Sequence, residues 1–460
     1  MLLSKTNYLI YRECKKNAWI KIHRPEIYNQ YPLSSFEQNI IDTGNEIDIL
    51  ARALFSGGVL VEDRDDTELT QELIAQKTPV IYQPLFTTDR YITACDILVW
   101  NKDRYDLYEV KASSGSDTGA SRKDKDYVVD VAFQRVVLEA CGVPLGNTFL
   151  IRLNKDYVRK GEIDLQNLFL IEDFTEQVEE GVSSIQEEME KASDFLSKNK
   201  EPEGYCECMF RSKGGHCTTS PYSLADLPEY PVHAISRIHK TKLGKLVDQG
   251  VLDIQKIPAD FELSDRQRSQ VDVAQAGEPF IDREGIDAFL SDIEYPISFL
   301  DYETYPSALP RYDGYKPYQQ IPFQFSVHIK ESKESDLVHH EFIYTDKECP
   351  DLPFAEALEK YLPEKGSIIV WNKSFESGVN KKLGERLPQH ASFLEDIDKR
   401  MVDLMLPFSG KTMVYDHPLF RGSSSIKYVL PALVPELSYK ELDIQEGGSA
   451  SDTWNRIVSQ

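Results

Sequence analysis

The spacing of apolar and polar positions changes several times along this chain, and each change predicts an element. Two short apolar runs, 94–100 and 105–111, flank the polar stretch 101–104. Such runs around a short turn predict a β-hairpin. Residues 36–55 repeat with a helical period, which puts Ile40, Ile41, Ile47, Leu50, Ala51 and Leu54 on one face. Residues 130–138 predict a second helix, 168–173 a strand, and 176–198 a long acidic helix with Val178, Val182, Ile185, Met189 and Phe195 inward. The stretch 222–290 predicts a helical bridge, within which 235–258 reads as helix, glycine stop at Gly250, and connector. Strands follow at 296–304, 323–330 and 338–345, then a helix including 356–361, a short buried strand at 367–371, and a helix opening at Asn372. The segments 401–404 and 425–433 come next. Residues 439–443 run into Gly447 and Gly448 and predict a loop or short strand, not a helix.

Strands interleaved with helices predict an α/β protein, and 460 residues suffice for two or three domains. The expected division is a first domain at 1–220, a helical linker at 221–292 and a second α/β domain at 293–460. There are no internal repeats, no apolar run long enough to span a bilayer and no evident signal peptide, so the expectation is a cytoplasmic protein.

The hairpin carries the first candidate chemistry. If Trp100 faces Tyr105 across the turn, Asp96 stands opposite Glu109, with Cβ atoms about 5 Å apart. Two carboxylates that close repel unless a cation lies between them. Glu109 and Lys111 share a strand face, so two acids and an ammonium converge. That set suits a hard divalent ion, Mg2+ or Mn2+, beside a lysine that orients water or balances phosphate charge. A solvated ion pair on a surface hairpin is the plainer alternative.

The Asp96…Glu109-x-Lys111 pattern resembles the signature of the PD-(D/E)XK nucleases, and of their RecB-like branch in particular. That resemblance implies a restriction-endonuclease-like α/β domain. It assigns Gln134, on the helix at 130–138, to a phosphate or to bracing the site, and offers Glu46 on the helix at 36–55 as a third metal-binding acid. Leu138 stands where the branch often has an aromatic.

Seven cysteines do not form a secreted disulfide framework, being odd in number and partly clustered. Cys206, Cys208 and Cys217 crowd one loop-like stretch, and Cys14 lies far upstream. One cysteine before the nuclease core and three after it resembles the iron–sulfur layout of several RecB-like nucleases. Zinc, with His216 able to replace a thiol, and free thiols remain alternatives. Cys95, Cys141 and Cys349 read as small buried residues.

A second set of acids begins with Asp301 and Glu303, which share one face of a strand end. With Glu376 in N-x-x-F-E, then Asp403 and the segment 425–433, the order is similar to that of the DnaQ-type DEDD exonucleases. These have an RNase H-like fold and use two-metal phosphodiester hydrolysis. Their last acid sits on a C-terminal helix. Here Asp443 and Asp452 are the candidates; otherwise that helix lies on sequence not shown, or the domain is inactive. Asp403 is expected to be a structural carboxylate. Nearly the whole length resembles a bacterial family joining a RecB-like nuclease domain to an RNase H-like domain.

The net charge of −24 argues against a simple duplex-binding surface, since phosphate binding rests on Lys and Arg. The charge is uneven: residues 171–210 hold twelve acids against three lysines, which suits a protein partner with a basic face. The resemblance implies nucleic acid as substrate, DNA before RNA, and exonuclease action in repair or phage defence. Two alternatives are a scaffold subunit with degenerate nuclease domains and an RNA exonuclease using only the second site.

Overall fold

A computed structural model of the chain describes residues 1–63, 66–115, 122–437 and 447–459. They group into two compact units. One comprises Met1–Glu207, Cys217–Leu224 and Ala308–Gln319; the other comprises Cys208–His216, Ala225–Ser307 and Gln320–Gln460. Both are α/β, with open sheets.

The first unit opens with helices α1 (Lys5–Glu13) and α2 (Lys15–His23), separated by the extended residue Cys14. The Ser4 hydroxyl caps α1 by accepting from the Asn7 amide at 3.2 Å. Helix α3 (Ser35–Arg52) starts with a capping box between Ser34 and Glu37. A six-stranded sheet follows in the order β1 (Val59–Leu60), β2 (Val80–Tyr82), β3 (Ile97–Asn101), β4 (Arg104–Gly115), β5 (Leu145–Asn154) and β6 (Phe169–Asp173). β2, β3 and β4 form an antiparallel meander. β5 runs parallel to β4, which requires a crossover, supplied by α4 (Arg122–Ala140). α5 (Thr175–Leu196) comes after β6 and packs on α4.

Strand alternation divides this sheet into two buried faces. Leu98, Tyr105 and Leu107 point toward Phe133 and Val137 of α4 and Val178 and Met189 of α5. Val80, Ile97 and Val110 point the other way, toward Ile47 and Ala51 of α3. Asp96, Glu109 and Lys111 have the parity of the first set, so the sheet aims them at the side that carries α4. Only the C-terminal half of α3 meets the sheet. Ile40 and Ile41, expected on its inner face, are 56% and 46% exposed.

In the second unit, the expected bridge has its own core. Leu243 and Leu246 of α6 (Lys240–Asp248) pack with Val232, Ile254 and with Val271 of α7 (Asp265–Ala276). The bridge is also stitched to the later chain: Phe280–Ile281 pairs antiparallel with Tyr415–Asp416, and Arg266 bonds Asp416 at 2.8 Å. The helix expected from 235 begins only at Lys240, where the His239 ring accepts from the Thr241 amide.

The main sheet of this unit contains β7 (Ile297–Pro306), β8 (Gln320–Lys330), β9 (Leu337–Ile343), β10 (Ile368–Val370) and β11 (Met401–Asp403), in the order β9-β8-β7-β10-β11. The first three are an antiparallel meander; β10 and β11 run parallel to β7. α8 (Asp351–Tyr361) leads into β10, and α9 (Lys373–Arg386) and α10 (Ala391–Arg400) connect β10 to β11. Leu300 and Tyr302 face the core with Phe354, Val379 and Ile397, so the alternate residues Asp301 and Glu303 face away from it. A register shift follows Glu303 directly. Such bulges re-aim side chains at the ends of strands. α11 (Ile426–Leu433) precedes a last helix, α12 (Gly447–Val458).

Helix α12 corrects the expectation at 447–448. Two glycines each cost roughly 1 kcal/mol of helix propensity. Burial outweighs them: Trp454 stacks on Phe323 with centroids 4.8 Å apart and donates its indole N–H to the Tyr344 carbonyl at 2.6 Å. Val458, one turn on, is buried as well.

Candidate functional site

The hairpin has the expected register. Trp100 pairs with Tyr105 across the turn residues Lys102 and Asp103, with Lys102 at φ 59°. The pairing ends at Ile97 with Tyr108, so Asp96 and Glu109 are the next residue on each side. The Asp96 carboxylate accepts from the Val110 amide at 2.8 Å and from the Gln83 side chain at 3.3 Å. Glu109 is fully buried, and its Oε1 accepts from two ammonium groups, Lys111 at 2.7 Å and Lys5 at 2.9 Å. Its Oε2 accepts from the Gln134 amide at 2.7 Å. Lys5 also lies 3.0 Å from Asp130, which Lys111 bonds in turn. Asp130 and Gln134 are four apart on α4 and so share a face.

The two central acids respond in opposite directions. Burial, and then the charge of Glu109, push the Asp96 carboxyl up to about 8, with Lys5 opposing. Burial also pushes Glu109 upward, but Lys111 and Lys5 reverse this and hold it well below the usual carboxylate range. Burial lowers both ammonium groups, and the carboxylates more than offset it, leaving Lys5 and Lys111 above the ordinary lysine value.

Glu46 is exposed. The acid of α3 that meets the site is Asp48, which pairs with Arg52 and shares the Gln83 amide with Asp96, at 3.2 Å. Asp48 adjoins the buried residue Ile47, and that adjacency was the available signal. Asp130 could have been read from its position one turn before Gln134. Lys5 is 104 residues from Glu109, and no local pattern marks it.

The second acidic set also assembles within its own unit. Glu376 is buried in the first turn of α9, and its Oε2 has no hydrogen-bond partner among the described residues. Burial, with the charges of Asp301 and Asp403, pushes Glu376 up to about 8. Burial and Asp301 push Glu303 up to about 7, against Lys427. The first residue of α12 lies against this acid: a Cβ on Gly447 would stand 3.3 Å from Glu303 Oε2. Along the same helix, the Ser451 hydroxyl donates to the Thr304 carbonyl at 2.6 Å, and half-buried Asp452 is the next residue. Residues 439–443, and with them Asp443, lie outside the described residues. Asp403 is tied to the backbone around it. It accepts from the amides of Asn372 and Lys373, both at 3.1 Å, and of Met405 at 3.0 Å, fixing the turn in which Asn372 takes φ 79°.

Cys14, Cys206, Cys208 and Cys217 are all buried, with their sulfur atoms within 4.8 Å of one another. Together they could coordinate a metal ion. The Cys14 thiol donates to Glu207, the residue between Cys206 and Cys208, at 3.3 Å. His216 is not one of this group; its ring bonds the Arg211 carbonyl at 3.0 Å. A tetrahedral ion with metal–sulfur bonds of about 2.3 Å separates its thiolates by about 3.8 Å. Of the other cysteines, Cys95 is buried as expected, whereas Cys141 is exposed and Cys349 half-buried.

Residues 298–425 match the family model described as a domain of unknown function (DUF2779). The matched stretch contains Asp301, Glu303 and Glu376 and stops before α12. No curated protein matches the chain. Among the described residues, no helix is long and apolar enough to cross a membrane.

Proposed function

We propose that this chain is a metal-dependent nuclease with two phosphodiester-hydrolysing sites, acting on DNA as an exonuclease through the first. The observation that carries this reading is the buried knot in which Asp96, Glu109, Lys111 and Gln134 meet across a hairpin and its following helix. A meander, a crossover helix and a parallel strand form the frame around it, in keeping with a RecB-like PD-(D/E)XK domain. The strand order of the second unit, three antiparallel strands followed by two parallel to the first, is in keeping with an RNase H-like domain.

Asp96 and Glu109 would hold Mg2+ or Mn2+, with Asp48 close by. A bound divalent ion supplies Lewis acidity and a water of lowered pKa. Lys111 would orient a water there and balance charge that builds on the phosphate, while Gln134 holds the rotamer of Glu109. In the second unit Asp301, Glu303 and Glu376 would hold metal, and Asp452 on α12 completes the set of four acids. The unpartnered, buried Glu376 oxygen supports that assignment. For the four cysteines, the mutual spacing of the sulfurs favours a single tetrahedral ion such as zinc. A four-iron cube holds its thiolates further apart.

The test is cleavage of end-labelled single- and double-stranded DNA and RNA with Mn2+ by wild type, Asp96→Ala and Asp301→Ala. Loss of DNA cleavage in Asp96→Ala alone supports the first site as the principal one. Loss only in Asp301→Ala moves the activity to the second site, and an inert wild type sinks the nuclease reading.

A further inference from the structure

Four charged groups alternate around the first site. Lys5 touches Glu109 and Asp130, at 2.9 and 3.0 Å, and Lys111 touches the same two carboxylates. Both ammonium groups fall on one oxygen, Glu109 Oε1, while Gln134 takes the other. Each carboxylate oxygen offers about two lone-pair directions, so two donors fill Oε1. A cation that is to bind there must expel one of them.

The two lysines are not equally held. Lys111 is on the same strand as Glu109, two residues away, and its ammonium lies 5.7 Å from the centre of the Tyr127 ring. Lys5 reaches in from the first turn of α1, a separate element. If Lys5 lets go of Glu109, it still has Asp130, so its charge is not stranded.

We infer that Lys5 occupies the cation position of this site and that a divalent ion enters by displacing it from Glu109. The inference rests on the metal-binding reading of Asp96 and Glu109 given above. It makes Lys5 a positioning residue: it keeps Glu109 ionised and in place without metal, then withdraws toward Asp130.

The consequence runs opposite to that of an ordinary structural contact, since removing Lys5 removes a competitor. Mn2+ binding to the full chain is measured by electron paramagnetic resonance of the free ion. Lys5→Met is expected to bind on the order of tenfold tighter than wild type, because a like charge a few ångströms away is gone. Lys5→Arg, which keeps the charge, should stay near wild type, and Asp96→Ala added to Lys5→Met should abolish the gain. Asp96-dependent binding that is unchanged or weaker in Lys5→Met overturns the displacement and leaves the metal site standing. Absence of Asp96-dependent binding in both proteins overturns the metal site, and the displacement with it. A second measurement needs no variant: amine acetylation of wild type, read by mass spectrometry, should rise at Lys5 as Mn2+ is added. No rise at saturating Mn2+ overturns the inference.

Discussion

Asp130 and Gln134 lie one turn apart on α4 and grip the two ends of a single ion pair: Asp130 bonds Lys111, and Gln134 bonds Glu109 at 2.7 Å. The helix thereby sets the geometry of a strand. Gln134→Leu keeps the volume nearly constant but leaves a buried carboxylate oxygen without its donor. An unsatisfied buried group of this kind costs about 1–3 kcal/mol. Urea unfolding of the variant should show a midpoint lowered accordingly, and Mn2+-dependent cleavage should fall with it. An unchanged midpoint would show that water replaces the amide.

Stability without metal should depend on pH in a specific way. Asp96, Glu303 and Glu376 have carboxyls pushed up to about 8, 7 and 8 respectively. In the unfolded chain such groups titrate near roughly 4. Between those values the folded state binds more protons than the unfolded state, so stability falls as pH rises from about 4 to 8. Glu109 has the opposite sign. Its carboxyl is held low, so its contribution is present above the unfolded value and is lost as pH drops through the folded one. Thermal melts in a chelating buffer should therefore decline from pH 5 to pH 8, and Asp96→Asn should flatten part of that decline. Mn2+ should raise the melting temperature more at pH 8 than at pH 5, because it binds the ionised acids.

The cysteine group predicts about one tightly bound ion per chain. Elemental analysis of protein purified without added metal should find zinc, and Cys14→Ser or Cys208→Ser should lose it. Cys14 is the joint between α1 and α2, so metal loss should also lower thermal stability. A brown protein absorbing near roughly 400 nm would decide for an iron–sulfur cluster instead.

What could be read from the sequence follows from the range of the forces involved. The hairpin register and the shared face of Glu109 and Lys111 come from short-range periodicity, whereas Gln134 is marked by the family resemblance alone. Asp48 was displaced by Glu46 in that reading because a helical period places a stripe more surely than the residue at its edge. Lys5 was out of reach: its partners lie more than a hundred residues away, and only the folded sheet brings them together. Clustering in the sequence joins only Cys206, Cys208 and Cys217; Cys14 enters the group through the resemblance to the layout of one cysteine before the nuclease core and three after it. The α12 helix was not legible, since Gly447 and Gly448 argue locally against it and a tertiary contact of Trp454 overrides them.

That contact supports the last prediction. Trp454 stacks on Phe323, lies 5.7 Å from Tyr305 and bonds the Tyr344 carbonyl, so it anchors α12 against β7 and β8. Trp454→Ala should cost about 3–5 kcal/mol in that unit, as large-to-small changes in a core do. It should also release Gly447 from the neighbourhood of Glu303. Asp452→Asn tests the chemistry separately, since it keeps the helix while removing a charge. If Asp452 is the fourth acid of the second site, Asp452→Asn should match Asp301→Ala in whatever cleavage depends on that site, and a thermal melt of the same variant reports separately on the packing of this half-buried residue. Cleavage that survives Asp452→Asn but fails in Trp454→Ala would show that α12 supports the site by packing alone.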